Sequence, residues 1–194
     1  PLPVRPPVLC AGCPHRGVFY ILSKLKLNVL GDIGCYTLGA VPPLSAMDAV
    51  VCMGASVGMA IGFDKADPEA HKHSVAVIGD STFIHSGITG LIDAVYNKAK
   101  ITVIILDNRT TGMTGHQNHP ATGKTIKNED TYELDLAEVC RAVGVKNVRT
   151  VNPNDLAETE KAVKEELAKD EVSVIIAKKP CVLLTKKLYN GFKV

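Results

Sequence analysis

Two short apolar runs, each followed at once by polar side chains, constrain this chain most. Residues 75–78 lead into Gly79-Asp80-Ser81, and residues 101–106 lead into Asp107-Asn108. The stretch between them has a helical pattern, so the unit reads as strand, crossover helix and parallel strand. The carboxyl ends of parallel strands meet at one edge of a sheet, and we therefore expect Asp80 and Asn108 to be neighbours.

This pair predicts a magnesium site. Adjacent parallel strands lie about 4.8 Å apart, so one carboxylate and one amide oxygen can share an Mg²⁺ ion with ligand distances of about 2.0 to 2.1 Å. A carbonyl from the loop around Thr110 can add a third ligand. The helix that opens after Ser81-Thr82 offers free N–H groups to a diphosphate, which would complete the shell. The alternative is that Asp80 and Asn108 only cap helices.

The whole chain alternates strands and helices. Strands are predicted at 28–31, 49–53, 75–79, 101–106, 146–150 and 172–177, and helices at 14–25, 55–67, 84–98, 134–143 and 154–169. This order predicts an α/β fold with a doubly wound, mostly parallel sheet and helices on both faces. The loop 108–130 is long for a compact domain, which marks it as functional or mobile.

Composition excludes several classes of protein. The chain has 194 residues, 46% of them hydrophobic, enough for one substantial core. A net charge of +2 without Trp gives no support to a nucleic-acid partner. The apolar runs are too short to cross a membrane and no signal peptide is recognisable, so a cytoplasmic location is expected.

The ends of the chain differ from its middle. Residues 1–9 are rich in proline and predict a linker, residues 10–180 form the domain, and residues 181–194 read as a docking or linking segment. Because the chain starts at Pro1 without Met, we expect it to be a piece of a larger polypeptide.

Six cysteines in such a chain point to metal or redox chemistry before disulfides. Cys10 and Cys13 have the spacing that places two thiolates on one centre, Cys35 follows a strand end, and Cys181 follows Pro180. Four thiolates suit a [4Fe-4S] cluster. A structural zinc site, or a dithiol at Cys10 and Cys13, fits the spacing as well.

The remaining cysteines and two histidines carry weaker signals. Cys52 lies in an apolar run and Cys140 on the inner side of a predicted helix, so both are expected to be buried hydrophobes. His15 and His85 stand beside motifs at the expected cofactor edge, where they can bind a substrate carboxylate or relay a proton, although a lone histidine is more often structural.

Several blocks resemble one enzyme family. Residues 10–17, 31–36, 52–58 and 112–117, with Gly79-Asp80 and the distant Asn108, are similar to the thiamine diphosphate-binding domain of 2-oxoacid:ferredoxin oxidoreductases. Within that family, the likeness is to the large (alpha) subunit of the indolepyruvate ferredoxin oxidoreductases. It covers nearly the entire chain.

The resemblance implies three cofactors. Thiamine diphosphate would be bound by Gly79, Asp80, Ser81, Thr82, Asn108, Thr110, Gly112, Met113, Thr114, Cys35, Tyr36 and Gly54. Mg²⁺ would be held by Asp80, Asn108 and Thr110, and a [4Fe-4S] cluster by Cys10, Cys13, Cys35 and Cys181.

The implied reaction is the oxidative decarboxylation of indolepyruvate or another 2-oxoacid, with coenzyme A as acyl acceptor and ferredoxin as electron acceptor. The implied partners are pyrimidine-binding and ferredoxin-like domains of the same subunit, a second smaller subunit and further copies in an oligomer. The glutamate that activates thiamine would belong to another domain, so this domain can be inactive in isolation.

Two alternatives remain. A subunit of a non-oxidative thiamine-dependent 2-oxoacid decarboxylase needs the Mg²⁺ pair but has no use for the four cysteines together. A zinc-stapled binding module without catalysis would use the cysteines and leave Asp80 and Asn108 as caps.

Overall fold

One parallel sheet organises the molecule. The structure is a computed structural model that describes residues 3–185, so the predicted segments 1–9 and 181–194 lie partly outside the described residues. The strands of this sheet run in the spatial order β2-β1-β3-β4-β6-β5, and every pair is parallel. They are β1 Asn28–Gly31, β2 Ala49–Val50, β3 Ser74–Gly79, β4 Thr102–Asp107, β5 Asn147–Val151 and β6 Ser173–Lys178.

Helices alternate with the strands along the chain. They are α1 His15–Lys24, α2 Ala55–Ala66, α3 Asp80–Thr82, α4 Ile88–Tyr96, α5 Leu136–Ala142, α6 Leu156–Leu167 and α7 Val182–Thr185. A π-helical turn, Phe83–Gly87, joins α3 to α4, and short 3₁₀ turns cover Cys35–Ala40, Ala70–Lys72 and Pro120–Thr122. Asp135 and Asp155 cap α5 and α6, accepting hydrogen bonds from backbone N–H groups of the first turn.

The core lies on both faces of the sheet. Strands β3 and β4 are buried along their whole length, which is typical of central parallel strands. Ile78 and Ile105 belong to the cluster under α2, α4 and α5, whereas Val77 and Ile104 belong to the cluster under α1 and α6. The predicted doubly wound α/β fold is therefore confirmed.

Most predicted boundaries lie within two residues of those in the structure, and two differ by more. The helix expected from residue 84 begins at Asp80, directly after β3, and the strand expected over 49–53 is limited to Ala49–Val50. The second difference has a local cause: the Asp32 carboxylate accepts the N–H of Gly54 at 2.8 Å, which draws the chain out of the sheet and into α2.

Strand order determines where a ligand can bind. From β1 the chain goes to β2 on one side, whereas from β3 it goes to β4 on the other. Such a reversal opens a crevice outside the carboxyl ends of β1 and β3, where open α/β sheets bind their ligands. Among residues 3–185, no helix combines the length and apolar character needed to span a bilayer.

Candidate functional site

An open cleft lies at this switch point. It is built from residues that follow β1, β3 and β4, with Met53 and His15 at its sides. The predicted cofactor-binding residues that line it are Cys35, Tyr36, Gly79, Asp80, Ser81, Thr82, Asn108, Thr110, Gly112, Met113 and Thr114. Gly54, the remaining predicted one, does not line the cleft.

Asp80 is the most constrained side chain of the cleft. Its Oδ1 accepts the Ser81 N–H at 2.7 Å, and its Oδ2 accepts the Arg109 N–H at 2.9 Å. Nε2 of His119 lies 3.2 Å from the same Oδ2. The carboxylate is almost fully buried, and the two backbone N–H donors, of Ser81 and Arg109, fix its orientation before any ligand is present.

Asn108 is oriented from both ends of its amide. Its Oδ1 accepts the Thr110 N–H at 3.2 Å, and its Nδ2 donates to Nε2 of His15 at 3.3 Å. Burial lowers the pKa of His15 to about 4, so the ring is neutral at pH 7 and acts as the acceptor. The carbonyl oxygen keeps a lone pair for a cation, the chemistry expected of a magnesium ligand.

Hydroxyl groups line the floor of the cleft. The Thr111 hydroxyl donates to that of Ser81 at 3.0 Å, and Thr82 and Thr110 are buried beside them. Helix α3 begins here with the Ser81 N–H bonded to Oδ1 of Asp80, and Ser81 and Thr82 line the same space. The set of hard oxygens and hydroxyl groups suits a cation bridged to phosphate oxygens.

The glycine at the end of β3 has a packing reason. A Cβ atom at Gly79 would lie 2.6 Å from the ring of Tyr36, and this glycine therefore lets the aromatic ring approach the strand. The Tyr36 hydroxyl donates to the carbonyl of Ile33, and burial raises the pKa of the phenol well above its usual range. The tyrosine acts as a neutral wall of the cleft.

Asp107, His119 and Arg109 were not predicted as site residues. Burial, together with the nearby Asp80 carboxylate, raises the pKa of Asp107 to about 6. Nδ1 of His119 accepts the Ala121 N–H at 3.3 Å, so the neutral ring carries its proton on Nε2, the nitrogen near Asp80, although this N–H is poorly aligned with the carboxylate. Only the position of Asp107, next to Asn108, offered a signal in the sequence.

A second cavity, here called the cysteine cavity, adjoins the cleft. It is lined by the four predicted cluster ligands Cys10, Cys13, Cys35 and Cys181, together with residues that include His116. Four residues line both spaces: His15, Cys35, Asn108 and Gly112. A group in the cysteine cavity would therefore be separated from a group in the cleft by a single layer of residues.

Distant parts of the chain build this cavity. Gly12, with φ +77°, turns the chain so that the Cys13 N–H reaches the Cys10 carbonyl at 3.0 Å. At the other end, the chain that follows β6 stays hydrogen-bonded to the chain that follows β4. The Cys181 N–H donates to the Asn108 carbonyl at 2.9 Å. The two segments touch where Val182 packs on Gly12.

Two of the thiols in the cysteine cavity, those of Cys13 and Cys35, are weaker acids than a free cysteine. Burial raises the pKa of Cys13 to about 11 and also raises the pKa of Cys35. A redox dithiol needs a lowered thiol pKa, so the raised pKa of Cys13 disfavours the hypothesis of a dithiol at Cys10 and Cys13. Within residues 3–185, no three His, Cys, Asp or Glu side chains lie close enough together to hold a single metal ion.

Other predicted residues lie elsewhere. His85 is exposed, its ring next to the Ser86 hydroxyl, and it lines neither space. Cys140 is fully buried, as predicted, but the expectation for Cys52 is wrong: this residue is exposed, because β2 ends two residues before it.

Comparison with known proteins gives consistent matches. The family model "Thiamine pyrophosphate enzyme, C-terminal TPP binding domain" matches residues 32–177. The indolepyruvate oxidoreductase subunit IorA of Methanothermobacter thermautotrophicus is 44% identical over 191 residues, and that of Archaeoglobus fulgidus is 45% identical over 188 residues. Each match covers 94% of this chain, which spans only 30% of the length of these relatives.

A solved structure shows the same fold. The 2-oxoglutarate:ferredoxin oxidoreductase from Magnetococcus marinus, solved with 2-oxoglutarate, coenzyme A and succinyl-CoA bound, superposes with a TM-score of 0.77 at 16% sequence identity. The match covers 91% of this chain and 65% of that chain.

Proposed function

The chain belongs to the family of C-terminal TPP-binding domains of thiamine pyrophosphate enzymes. From this premise we propose that it is the diphosphate-binding half of a 2-oxoacid:ferredoxin oxidoreductase. The observation that carries the proposal is the contact between two spaces: a cleft with oxygen ligands and a cavity with four thiols, sharing His15, Cys35, Asn108 and Gly112 as their common wall.

In the cleft, Asp80, Asn108 and Thr110 would hold Mg²⁺, and the hydroxyls and N–H groups around Ser81 would hold the diphosphate. The donor set fits, because it consists of oxygens and the Asp80 carboxylate is oriented by two backbone N–H groups. Bound thiamine diphosphate would supply the electron sink for decarboxylation. The chain's own buried side chains, Asp80 and Asn108, would orient the metal and through it the diphosphate.

In the cysteine cavity, Cys10, Cys13, Cys35 and Cys181 would hold a [4Fe-4S] cluster. These four thiols come from separate segments of the chain and line one cavity, and four cysteine thiolates are the usual ligand set of a [4Fe-4S] cluster. A cluster accepts electrons one at a time, as transfer to ferredoxin requires. A non-oxidative decarboxylase transfers no electrons, so that hypothesis does not explain why the four cysteines lie next to the cleft.

The substrate and partners follow from the named relatives. We propose indolepyruvate or a similar arylpyruvate as substrate, because relatives of 44% and 45% identity are indolepyruvate oxidoreductase subunits. Coenzyme A would accept the acyl group. Pyrimidine-binding and ferredoxin-like domains of the same subunit, together with a smaller subunit, would complete the enzyme, in keeping with a chain that spans 30% of those relatives.

Two measurements on anaerobically purified protein test the proposal. Calorimetric titration with thiamine diphosphate should show binding in Mg²⁺ and none in EDTA. Iron and sulfide should each approach four per chain, with visible absorption that bleaches on dithionite. Zinc in place of iron would support the binding module, and diphosphate binding without any metal in the thiols would support the decarboxylase.

A further inference from the structure

One buried polar atom beside the cysteine cavity is not used by the proposed function. Nδ1 of His116 is shielded from solvent, and no group among the described residues hydrogen-bonds to it. Burying a polar nitrogen without a partner costs about 1 to 3 kcal/mol. Such an atom in a native structure calls for an explanation, and a hydrogen-bond partner supplied by a bound group is one.

The position of the ring indicates which ligand. His116 lines the cysteine cavity with the four cysteines. A Cβ atom built on Gly112 would lie 3.4 Å from Sγ of Cys35 and 4.0 Å from Cε1 of His116, so sulfur and imidazole flank the same glycine. The absence of a side chain at Gly112 leaves the space between them open.

The backbone holds the ring in this place. His116 has φ +64°, a left-handed conformation that is uncommon for residues with a side chain, and its N–H donates to the Thr111 carbonyl at 2.9 Å. The Thr111 N–H in turn donates to the Gln117 carbonyl at 3.0 Å. Two backbone hydrogen bonds thus close a tight loop that places His116 at the cavity, in an unfavourable backbone conformation.

We propose that His116 is a positioning and tuning residue for the iron–sulfur group, donating a hydrogen bond from Nδ1 to one of its sulfurs. The inference rests on the proposed function, because it requires the cluster. A hydrogen bond to sulfur stabilises the reduced, more negative cluster and raises its reduction potential. His116 would thus adjust how readily the centre beside the cleft accepts an electron.

The positive φ dictates the test variants. His116→Gly removes the ring and tolerates the left-handed backbone, whereas His116→Asn also tolerates it and keeps an N–H donor near the position of Nδ1. His73→Gly removes a half-exposed imidazole at the opposite edge of the sheet and serves as the control. The unmodified chain and the three variants are purified anaerobically, their iron and sulfide are counted, and the cluster is titrated by electron paramagnetic resonance.

We expect full iron content throughout and a reduction equilibrium about tenfold less favourable in His116→Gly, equivalent to a potential lower by about 59 mV for one electron. His116→Asn should recover most of this shift, and His73→Gly should show none. Equal potentials in His116→Gly and the unmodified chain, or no recovery in His116→Asn, would overturn the inference. An unmodified chain without iron would instead overturn the proposed cluster itself.

Discussion

The cleft and the cysteine cavity share a wall but are prepared for their ligands in opposite ways. In the cleft, Asp80 and Asn108 are hydrogen-bonded at both ends of their polar groups and lie on the ends of adjacent central strands. In the cysteine cavity, burial raises the pKa of Cys13 and Cys35, which keeps both as neutral thiols at pH 7. The oxygen site is preorganised, whereas the sulfur site must lose protons when its ligand binds.

This difference follows from the origin of the residues. The oxygen ligands come from one strand–helix–strand unit, whose geometry the sheet imposes. The sulfur ligands come from residues 10–13, from Cys35 and from Cys181, so they meet only when both ends of the chain pack against the sheet. Loss of the cleft ligands should therefore leave the fold unchanged, while loss of the metal in the cysteine cavity should loosen the two ends.

The largest effect is expected for Asp80→Ala. Removing the oriented carboxylate should weaken Mg²⁺-dependent binding of thiamine diphosphate at least about 1000-fold, or about 4 kcal/mol, in calorimetric titrations. Asp64→Ala, which removes a buried carboxylate of α2 that does not line the cleft, is the matched control and should bind as the unmodified chain does. Unchanged affinity in Asp80→Ala would end the magnesium assignment.

The next effect concerns the sulfur site. Cys10→Ser should remove most of the bound iron, because a neutral hydroxyl is a poor replacement for a thiolate ligand, while far-ultraviolet circular dichroism stays the same. Cys52→Ser, at an exposed cysteine that does not line the cavity, should retain its iron. If the two variants held equal amounts of iron, Cys10 would not be a ligand.

The sequence was sufficient wherever residues lie on regular elements. Asp80 and Asn108 could be placed together because two buried strands with a crossover helix have one arrangement in a parallel sheet. His119 and His116 could not be placed, because their positions depend on the path of the loop after β4, which is determined by positive φ angles at Arg109 and His116 and by isolated backbone bridges. No periodic pattern encodes such a path.

The error at Cys52 has a related origin. An apolar run predicts a strand but gives no information about a competing hydrogen-bond acceptor elsewhere in the chain. The buried carboxylate of Asp32 takes the N–H groups of Gly54 and Ser56, which ends β2 early and leaves Cys52 outside the sheet. Tertiary capping thus overrode local propensity.

A smaller effect is expected from the wall between the two spaces. His15 has its pKa lowered from 6.5 to about 4, so the unfolded chain binds a proton below pH 6.5 that the folded chain excludes. Its contribution to the free energy of unfolding should be complete above pH 6.5 and fall by on the order of 3 kcal/mol as the pH drops toward 4.

His15→Gln should remove this acid dependence while its Oε1 still accepts the Asn108 amide. Urea unfolding between pH 4.5 and 7.5 measures the free energy of unfolding of both chains. The value for the unmodified chain minus the value for His15→Gln should decrease as the pH falls. Parallel curves for the variant and the unmodified chain would show that His15 is not held neutral by the fold.

The smallest effect is expected for His119→Asn, which tests whether the order of the oxygen site depends on the loop after β4. The asparagine Oδ1 can still accept the Ala121 N–H that Nδ1 of His119 accepts, but it cannot reach Asp80. We expect Mg²⁺ affinity to fall about tenfold, as is usual when a group that orients a metal ligand is removed.

The matched control is His71→Asn, because His71 is also buried and lies 3.1 Å from a carboxylate, that of Asp170, at the opposite edge of the sheet. Equal Mg²⁺ affinities in the two variants would mean that the backbone N–H groups of Ser81 and Arg109 orient Asp80 without the imidazole, and that the strand ends alone preorganise the cleft.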